Sequence, residues 1–256
     1  MNINTHAIRQ IEEDFVEAEG PFSDKEELLP ERAAMEQVSN EDMVNFLSYG
    51  VSLDYNRSAG QLWDNCLELY EVDDGYGTNY FDPEDVVKLE LEELRAVFKS
   101  IGFRYGNRDA RGWMKNSQIL VDEFNGSWAY LIEEAKVLDG APSIVELLNE
   151  HNFMFIKGKK LAPFYAKVVH ENITSMKNIW ELDIPVDVHI RRLTHKLASD
   201  DSLSDEEIRN LWQDLGRREN IEPMVVDGGL WIIGNQWDDW GDDYWEQVTS
   251  GETVSS

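Results

Sequence analysis

Apolar residues recur at every third or fourth position along most of this chain, and this spacing limits the possible folds more than any other feature. An α-helix has about 3.6 residues per turn, so residues spaced in this way share one face that packs against the rest of the protein. Ile8, Ile11 and Phe15 follow the spacing in the first segment. No stretch shows the sustained apolar–polar alternation of a half-buried strand. The sequence therefore predicts an all-α protein.

The same pattern predicts a series of helices separated by turn signals. A break is expected at Gly20-Pro21, and the stretch 73–83, rich in Asp, Gly and Tyr, is expected to be a loop. The predicted helices cover 41–47, 61–70, 89–100, 109–124, 128–137, 143–150, 160–169 and 204–215.

Two helical lobes with a cleft between them are expected. Residues 1–45 and 198–256 form one lobe, and residues 46–197 form a helical core. A tryptophan-rich segment lies at 224–245, and its tail at 237–245 is expected to pack its aromatic rings onto the N-terminal segment.

The formal net charge of −28 at first argues against nucleic acid as a partner, because phosphate binding depends on Lys and Arg. The distribution of charge gives a different result. Residues 99–115 hold five basic residues and one acid, and residues 151–196 hold eight basic residues and four acids. We interpret these two basic islands as candidate nucleic-acid surfaces, with chance clustering as the alternative. The acidic remainder resembles a halophilic surface, adapted to high salt.

Several classes of protein are excluded by composition. The single cysteine, Cys66, excludes an intramolecular disulfide and a zinc or iron–sulfur site with cysteine ligands. No apolar run approaches the length that spans a bilayer, and we expect no signal or transit peptide. The expectation is an intracellular, cytoplasmic, prokaryotic monomer that needs no cofactor or metal ion.

The most informative part of the sequence lies at about 143–170. An amphipathic helix at 143–150 is followed by a short loop that contains Gly158, and a second helix begins at about Lys160. Downstream, the segment 184–187 opens another helix, with Asp187 placed as its N-cap. In this order, these segments resemble the helix-hairpin-helix DNA glycosylase superfamily, and the resemblance extends to 46–56 and 100–126.

The resemblance implies catalytic and DNA-binding roles. In that superfamily a hairpin grips the DNA backbone through main-chain amides, the second helix presents a lysine, and a downstream helix presents an aspartate. The matching catalytic residues here are Lys160 and Asp187, with Lys159 as a competitor for the lysine role. The implied contacts to DNA are made by Lys157, Gly158, Lys159, His189 and Arg191.

Within the superfamily the chain looks most like the archaeal 8-oxoguanine DNA glycosylase branch. Phe164 lies one helical turn after Lys160, and Asp227 and Trp231 are four residues apart, as on one face of a helix. The resemblance implies that these three residues form the pocket for the flipped base. Trp63 lies where another wall of that pocket is expected, although core packing is the simpler explanation for it.

Three departures from the family pattern stand out. Ile156 occupies the position of the first hairpin glycine, so that only Gly158 remains. Gly50 replaces the glutamine that many relatives wedge into the DNA stack, and Tyr49 is the candidate substitute. No iron–sulfur cysteines follow the Asp187 helix.

The chemistry implied by the resemblance is base excision from damaged double-stranded DNA. The damaged nucleotide flips out of the duplex, an uncharged lysine amine attacks C1′ of its sugar, and the resulting Schiff base permits β-elimination. The expected activity is that of a bifunctional 8-oxoguanine glycosylase and abasic-site lyase, associated with the nucleoid when bound to DNA. The alternatives are a glycosylase for an oxidised pyrimidine or alkylated base, a non-catalytic DNA-binding helix-hairpin-helix protein, and an acidic protein-interaction domain.

Overall fold

The computed structural model describes residues 3–73 and 75–250, and every regular element in these ranges is helical. The helices are α1 (Thr5–Glu17), α2 (Lys25–Leu28), α3 (Pro30–Met35), α4 (Met43–Leu53), α5 (Ala59–Tyr70), α6 (Pro83–Val86), α7 (Leu91–Ile101), α8 (Gly106–Glu123), α9 (Trp128–Val137), α10 (Ala141–Glu150), α11 (Leu161–Asn172), α12 (Val188–Ala198), α13 (Asp205–Glu219), α14 (Pro223–Asn235) and α15 (Asp242–Ser250). Short 3-10 turns lie at Gly20–Phe22 and Ile179–Glu181, and a π-helical segment lies at Trp237–Gly241. The prediction of an all-α protein is confirmed.

The helices group into two compact units. Unit 1 combines Met1–Leu29 with Trp180–Ser256, and unit 2 is Pro30–Ile179. These boundaries differ from the predicted ones at 45 and 197. Residues 30–45 join unit 2 because α3 packs against α5, and residues 180–197 join unit 1 because α12 packs against α14. Among the described helices, each is too short or too polar to cross a lipid bilayer.

Several helices begin directly after a side chain that accepts a hydrogen bond from a main-chain amide of the first turn. Ser58, Ser127 and Ser204 each accept a hydrogen bond from an amide in the first turn of the helix that follows. Asp82 caps α6 in the same way, directly before Pro83. Since the first amides of a helix have no partner within it, these short polar side chains fix where the helices begin.

The core of unit 1 is built where α1 and α12 pack against α14. The apolar face of α1 is fully buried at Ile8 and Ile11, as its spacing predicted. Phe15, at the end of the same face, contacts α14 at Gly228. Residues from both ends of the chain therefore share one hydrophobic core.

The tryptophan-rich segment packs onto the N-terminal segment, as predicted. The Phe22 ring meets the Trp240 and Tyr244 rings edge to face, with centroids 6.1 and 5.5 Å apart. The Tyr244 hydroxyl donates a hydrogen bond of 2.6 Å to Asp14 on α1. Edge-to-face pairs stabilise by roughly 0.5–1.5 kcal/mol beyond the area they bury. The aromatic residues of this segment thus cap the unit 1 core.

The core of unit 2 is dominated by aromatic side chains from α4, α7, α8 and α9. The Tyr49 and Trp113 rings stack with centroids 4.3 Å apart, and the Trp128 ring meets Tyr49 edge to face at 5.6 Å. The Trp113 indole donates a hydrogen bond of 2.8 Å to the main-chain oxygen of Tyr80. This bond satisfies the polar edge of a ring that has no exposure to solvent.

A buried ion pair ties the segment after α4 to the start of α8. The Arg57 guanidinium donates two hydrogen bonds to Asp109, at 3.0 and 2.8 Å. The two side chains are only 5% and 1% exposed. The guanidinium also lies over the Tyr105 ring, 5.3 Å from its centroid. Because a bidentate pair fixes both position and orientation, it holds residues 54–58 against α8.

Arg57→Ala should destabilise unit 2 by about 3–5 kcal/mol, because it leaves the Asp109 carboxylate buried without its partner. Urea unfolding followed by circular dichroism measures this change. The matched control is Lys136→Ala, which breaks the exposed Lys136–Glu133 pair. Exposed pairs contribute about 0–1 kcal/mol, so an equal effect of the two substitutions would contradict the prediction.

Candidate functional site

The predicted hairpin corresponds to two packed helices and the turn between them. Helix α10 ends at Glu150 and α11 begins at Leu161, and the two helices pack against each other. Lys160 occupies the N-cap position of α11. We call residues 151–160 the connecting turn. It carries three of the residues predicted to bind DNA, together with the predicted nucleophile.

The connecting turn is anchored by two side chains that are completely buried, Phe153 and Ile156. The Phe153 ring packs against the Trp128 ring, with centroids 5.2 Å apart. Ile156 stands where the family pattern has a glycine. Its side chain fills part of the core of unit 2.

A buried amide from α8 clamps the turn. The Asn116 side chain donates a hydrogen bond of 3.1 Å to the Met154 carbonyl and accepts one of 2.7 Å from the Met154 amide. Asn116 itself has no exposure to solvent. Buried amides are costly unless paired, so this two-way contact strongly favours one position of the turn on α8.

At Gly158 the main chain of the connecting turn has a conformation that favours glycine. This residue has a φ of +98°, a region that glycine adopts without steric cost. Its amide donates a hydrogen bond of 3.1 Å to the Asn149 side chain at the end of α10. An amide predicted to contact DNA phosphate is therefore already paired within the protein. A phosphate would have to replace Asn149 as its acceptor.

The lysines of the turn project into solvent. Lys157, Lys159 and Lys160 are all exposed, and the Lys157 ammonium donates to the Asn152 side chain. Phe164, one turn into α11, is half-buried. The start of α11 thus brings together an exposed amine, two neighbouring cations and a partly exposed aromatic ring.

Lys167 lies further along α11 and differs from these lysines in being buried. Its positive charge acts on Glu31 of α3. Burial raises the pKa of Glu31 to about 7, the Lys167 charge lowers that pKa, and the charges of Asp54 and Glu171 raise it. Lys167 is therefore buried beside other charged groups of unit 2, whereas Lys160 faces solvent.

Asp187 begins α12 in unit 1. One carboxylate oxygen, Oδ1, accepts hydrogen bonds from the amides of His189 and Ile190, at 2.8 and 2.9 Å. Pro185 and Val186 directly before it are buried and fix the approach of the chain. Within the part of the chain that the structure describes, both hydrogen bonds of this carboxylate go to Oδ1. The N-cap role predicted for Asp187 is confirmed, and it leaves Oδ2 available for a second role.

The predicted base-pocket residues of unit 1 lie on α14. Trp231 is partly exposed, and its ring lies 6.1 Å from the His189 ring of α12 in an edge-to-face arrangement. Asp227, one turn earlier, is only 5% exposed. A base that hydrogen bonds to Asp227 would have to reach a carboxylate that lies almost entirely inside unit 1.

Arg191, a predicted DNA contact, is paired within unit 1. Its guanidinium donates two hydrogen bonds to Asp205, at 2.7 and 2.9 Å. The bond from Arg191 lowers the pKa of the Asp205 carboxyl, and the same contact raises the pKa of Arg191. In the protein without DNA, this arginine therefore satisfies a carboxylate rather than presenting its full charge to a phosphate.

Two predicted site residues lie in the unit 2 core. Tyr49, the candidate wedge, has no exposure, and its hydroxyl is hydrogen-bonded to Ser117 at 2.5 Å. Trp63, the candidate pocket wall, is 2% exposed and packs against Gly50. A side chain without solvent exposure cannot enter a DNA stack or line an open pocket unless the core rearranges.

The structure brings the predicted residues together in two groups. Unit 2 holds Lys157, Gly158, Lys159, Lys160 and Phe164, and unit 1 holds Asp187, His189, Arg191, Asp227 and Trp231. Sequence reasoning missed Asn116, although the sequence carries a signal for it. Trp113, Asn116 and Leu120 share the helical spacing of a buried face, so a polar side chain there needs a specific partner.

Comparison with known proteins adds no family assignment, because the chain matches no protein-family profile and no curated protein. In residues 3–73 and 75–250, no three His, Cys, Asp or Glu side chains lie together as ligands for a metal ion. The case for any function therefore depends on the two groups of residues described above.

Glu31→Gln should stabilise the protein above pH 7 and leave stability unchanged near pH 4.5. In the folded protein the pKa of Glu31 is about 7 against an ordinary value of 4.5. As pH rises between these values, the unfolded chain loses this proton while the folded chain keeps it, so stability falls and then stays constant above pH 7. We expect a gain of about 1–3 kcal/mol at pH 8, measured by urea unfolding.

The control for this substitution is Glu134→Gln, which removes an exposed carboxylate from α9. It should leave the pH profile unchanged. A Glu31→Gln protein whose stability follows the same pH profile as the unsubstituted chain would show that Glu31 does not titrate as described.

Proposed function

We propose that the chain is a base-excision DNA glycosylase with abasic-site lyase activity, acting on 8-oxoguanine in double-stranded DNA. One observation carries the proposal. Lys160 stands exposed at the N-cap of α11, as the last residue of the anchored connecting turn. Among the described residues, no carboxylate forms an ion pair with it, although the chain has 51 acids and 23 Lys and Arg. An accessible, unpaired amine on a fixed support suits a nucleophile.

The reaction assigns a defined change to Lys160. Its neutral amine attacks C1′ of the damaged nucleotide, and the N-glycosidic bond breaks with its electron pair leaving on the base, which takes up a proton. The amine nitrogen then shares a double bond with C1′ as the sugar ring opens. Loss of a proton from C2′ expels the 3′-phosphate and nicks the strand, and water hydrolyses the Schiff base to regenerate the lysine.

Asp187 supplies negative charge in this proposal. Positive charge develops on the sugar as the base departs, and a carboxylate near it lowers the energy of that state. Capping and catalysis are compatible in this residue, because the α12 amides occupy only Oδ1.

The flipped base needs aromatic surfaces and polar partners. Stacking on an aromatic ring contributes about 1–3 kcal/mol per base. Phe164 and Trp231 are both partly exposed, which suits them to this role better than the buried Trp63. Asp227 is the proposed acceptor for donors on the edge of the base, such as the N7 hydrogen that distinguishes 8-oxoguanine from guanine.

A DNA-binding protein without catalysis is the second candidate, and one observation favours it. Lys160 is exposed beside Lys157 and Lys159, an arrangement that also suits simple contact with DNA phosphates.

Borohydride reduction separates the two candidates. The unsubstituted protein should form a covalent adduct with abasic duplex DNA, because borohydride reduces the Schiff base to a stable amine. Lys160→Gln should abolish the adduct, while Lys159→Gln, the matched control, should retain it. An adduct that survives Lys160→Gln would remove Lys160 from the mechanism, and no adduct with the unsubstituted protein would favour the non-catalytic candidate.

Asp187→Asn tests the carboxylate separately from the cap. Asparagine caps helices as well as aspartate does, so the thermal unfolding midpoint should change little. Excision of 8-oxoguanine under single-turnover conditions should slow by about 100-fold or more, because the negative charge is lost. Asp187→Ala should show the same loss of rate together with about 1 kcal/mol of destabilisation. Full activity in Asp187→Asn would exclude the proposed role.

A further inference from the structure

A surface pocket in unit 2 joins residues from the two basic islands of the sequence. The cavity has a volume of about 360 Å³. Its walls include three cationic side chains, two aromatic rings and an amide, contributed by Arg108, Lys115, Lys157, Tyr55, Phe155 and Asn152. We call it the basic pocket. Arg108 and Lys115 belong to the island at 99–115, and Lys157 belongs to the island at 151–196.

The charge of the basic pocket is exceptional for this chain. None of the described residues that line it is acidic, although the chain carries a formal charge of −28. Among the ion pairs of the described residues, none includes Arg108, Lys115 or Lys157. Like charges that share a site repel one another, so the arrangement favours an anion at this place.

The positions of the cations are set by α8. Arg108, Gly112 and Lys115 are four and three residues apart, which places them on one face of the helix. Gly112 is required between the two cations, because a Cβ atom there would lie 2.3 Å from the Phe155 ring. The absence of a side chain lets the connecting turn approach α8 and close one wall of the pocket.

In this position the connecting turn has an unusual backbone conformation at Phe155. Phe155 has a φ of +69°, in the left-handed region that residues with a Cβ atom rarely adopt. The Ile156 amide donates a hydrogen bond of 3.0 Å to the Met154 carbonyl and closes a three-residue turn around Phe155. Non-glycine residues in this region cluster at functional sites, where the surrounding structure holds them. Here the Asn116 clamp on Met154 supplies that hold.

The aromatic rings orient Arg108 without neutralising it. The guanidinium lies 5.0 Å from the Tyr55 ring centroid and 4.6 Å from the Phe155 ring centroid. Cation–π contacts of this kind fix an arginine while its charge remains uncompensated by an acid. The Tyr55 residue is 45% exposed, so it also offers aromatic surface to a ligand.

We propose that the basic pocket binds one nucleotide unit of a DNA strand. The phosphate lies between Lys115 and Lys157 with Arg108 as a further donor, and the base lies against Tyr55. A cationic groove combined with an exposed aromatic ring is the usual means of holding single-stranded nucleic acid. The pocket walls are mostly exposed side chains, so a polymer can enter it from the surface. The proposal rests on DNA as the ligand of the proposed function, but not on its lyase chemistry.

The test uses equilibrium binding of a fluorescein-labelled, undamaged single strand by the full chain over a range of salt concentrations. Lys115→Ala combined with Lys157→Ala should weaken binding at least tenfold. The slope of log affinity against log salt should become less steep by about 1.4, the value for two lost phosphate contacts on a single strand. The matched control is Lys136→Ala, a partly exposed lysine of α9 outside the pocket, which should leave both quantities unchanged.

Tyr55→Ala tests the base contact. It should weaken binding of a normal strand by about tenfold, through lost stacking. The salt slope should stay unchanged, because the Phe155 ring still holds Arg108 at 4.6 Å. A strand of abasic nucleotides should bind the Tyr55→Ala and unsubstituted proteins equally. If Tyr55→Ala weakens binding of both strands to the same degree, the base contact is wrong.

Competition distinguishes the two sources of a phosphate group. A deoxynucleoside monophosphate or inorganic phosphate that displaces the strand at equal phosphate concentration would overturn the proposal in favour of a small phosphorylated ligand. A strand that resists both competitors supports it. An affinity and salt slope unaffected by the double lysine substitution would refute it.

The results of these binding experiments can be distinguished from the result of the borohydride test of the proposed function. Binding that depends on the pocket, together with no borohydride adduct in the unsubstituted protein, supports the pocket and refutes the lyase. If the borohydride adduct requires Lys160 but strand binding is unaffected by the Lys115 and Lys157 substitutions, only the basic-pocket proposal is refuted.

Discussion

The two hydrogen bonds between the Asn116 side chain and the Met154 main chain position the connecting turn, which carries Lys157 and Lys160, on α8. They join α8, which carries one basic island, to the connecting turn, which carries the start of the other. Lys157 and Lys160 lie within six residues of Met154, so their positions depend on this attachment. A buried amide is well suited to the task, because it loses both partners at once if the turn shifts along α8.

Helical spacing predicted the fold class and most helices of this chain, because it reports burial on one face directly. Helix α9 lies at the predicted residues, and α1 buries the predicted face. The same spacing cannot tell a buried aromatic ring from one that borders a cleft. Tyr49 and Trp63 were therefore assigned to a site although both fill the core. The predicted unit boundary at 197 missed the packing of α12 on α14, a contact between segments distant in sequence.

Only part of the candidate site could be predicted from the sequence, because much of it depends on contacts between segments that are distant in sequence. The capping of α12 by Asp187 is local and follows from residue type and spacing. The internal pairing of Gly158 with Asn149 and of Arg191 with Asp205 depends on how separate segments meet. The basic pocket also needs three segments to converge, including a phenylalanine at positive φ that no composition rule predicts.

The discontinuous construction of unit 1 bears on how the chain folds during synthesis. Residues 30–179 are contiguous, so unit 2 has all its core residues once they have left the ribosome. Helix α1 is made before unit 2 but packs on α14 and α15, which are made after unit 2. The apolar face of α1 therefore lacks its native partner while unit 2 is being synthesised. Helix α1 carries four carboxylates, at Glu12, Glu13, Asp14 and Glu17, and their negative charge favours the solubility of the segment during that time.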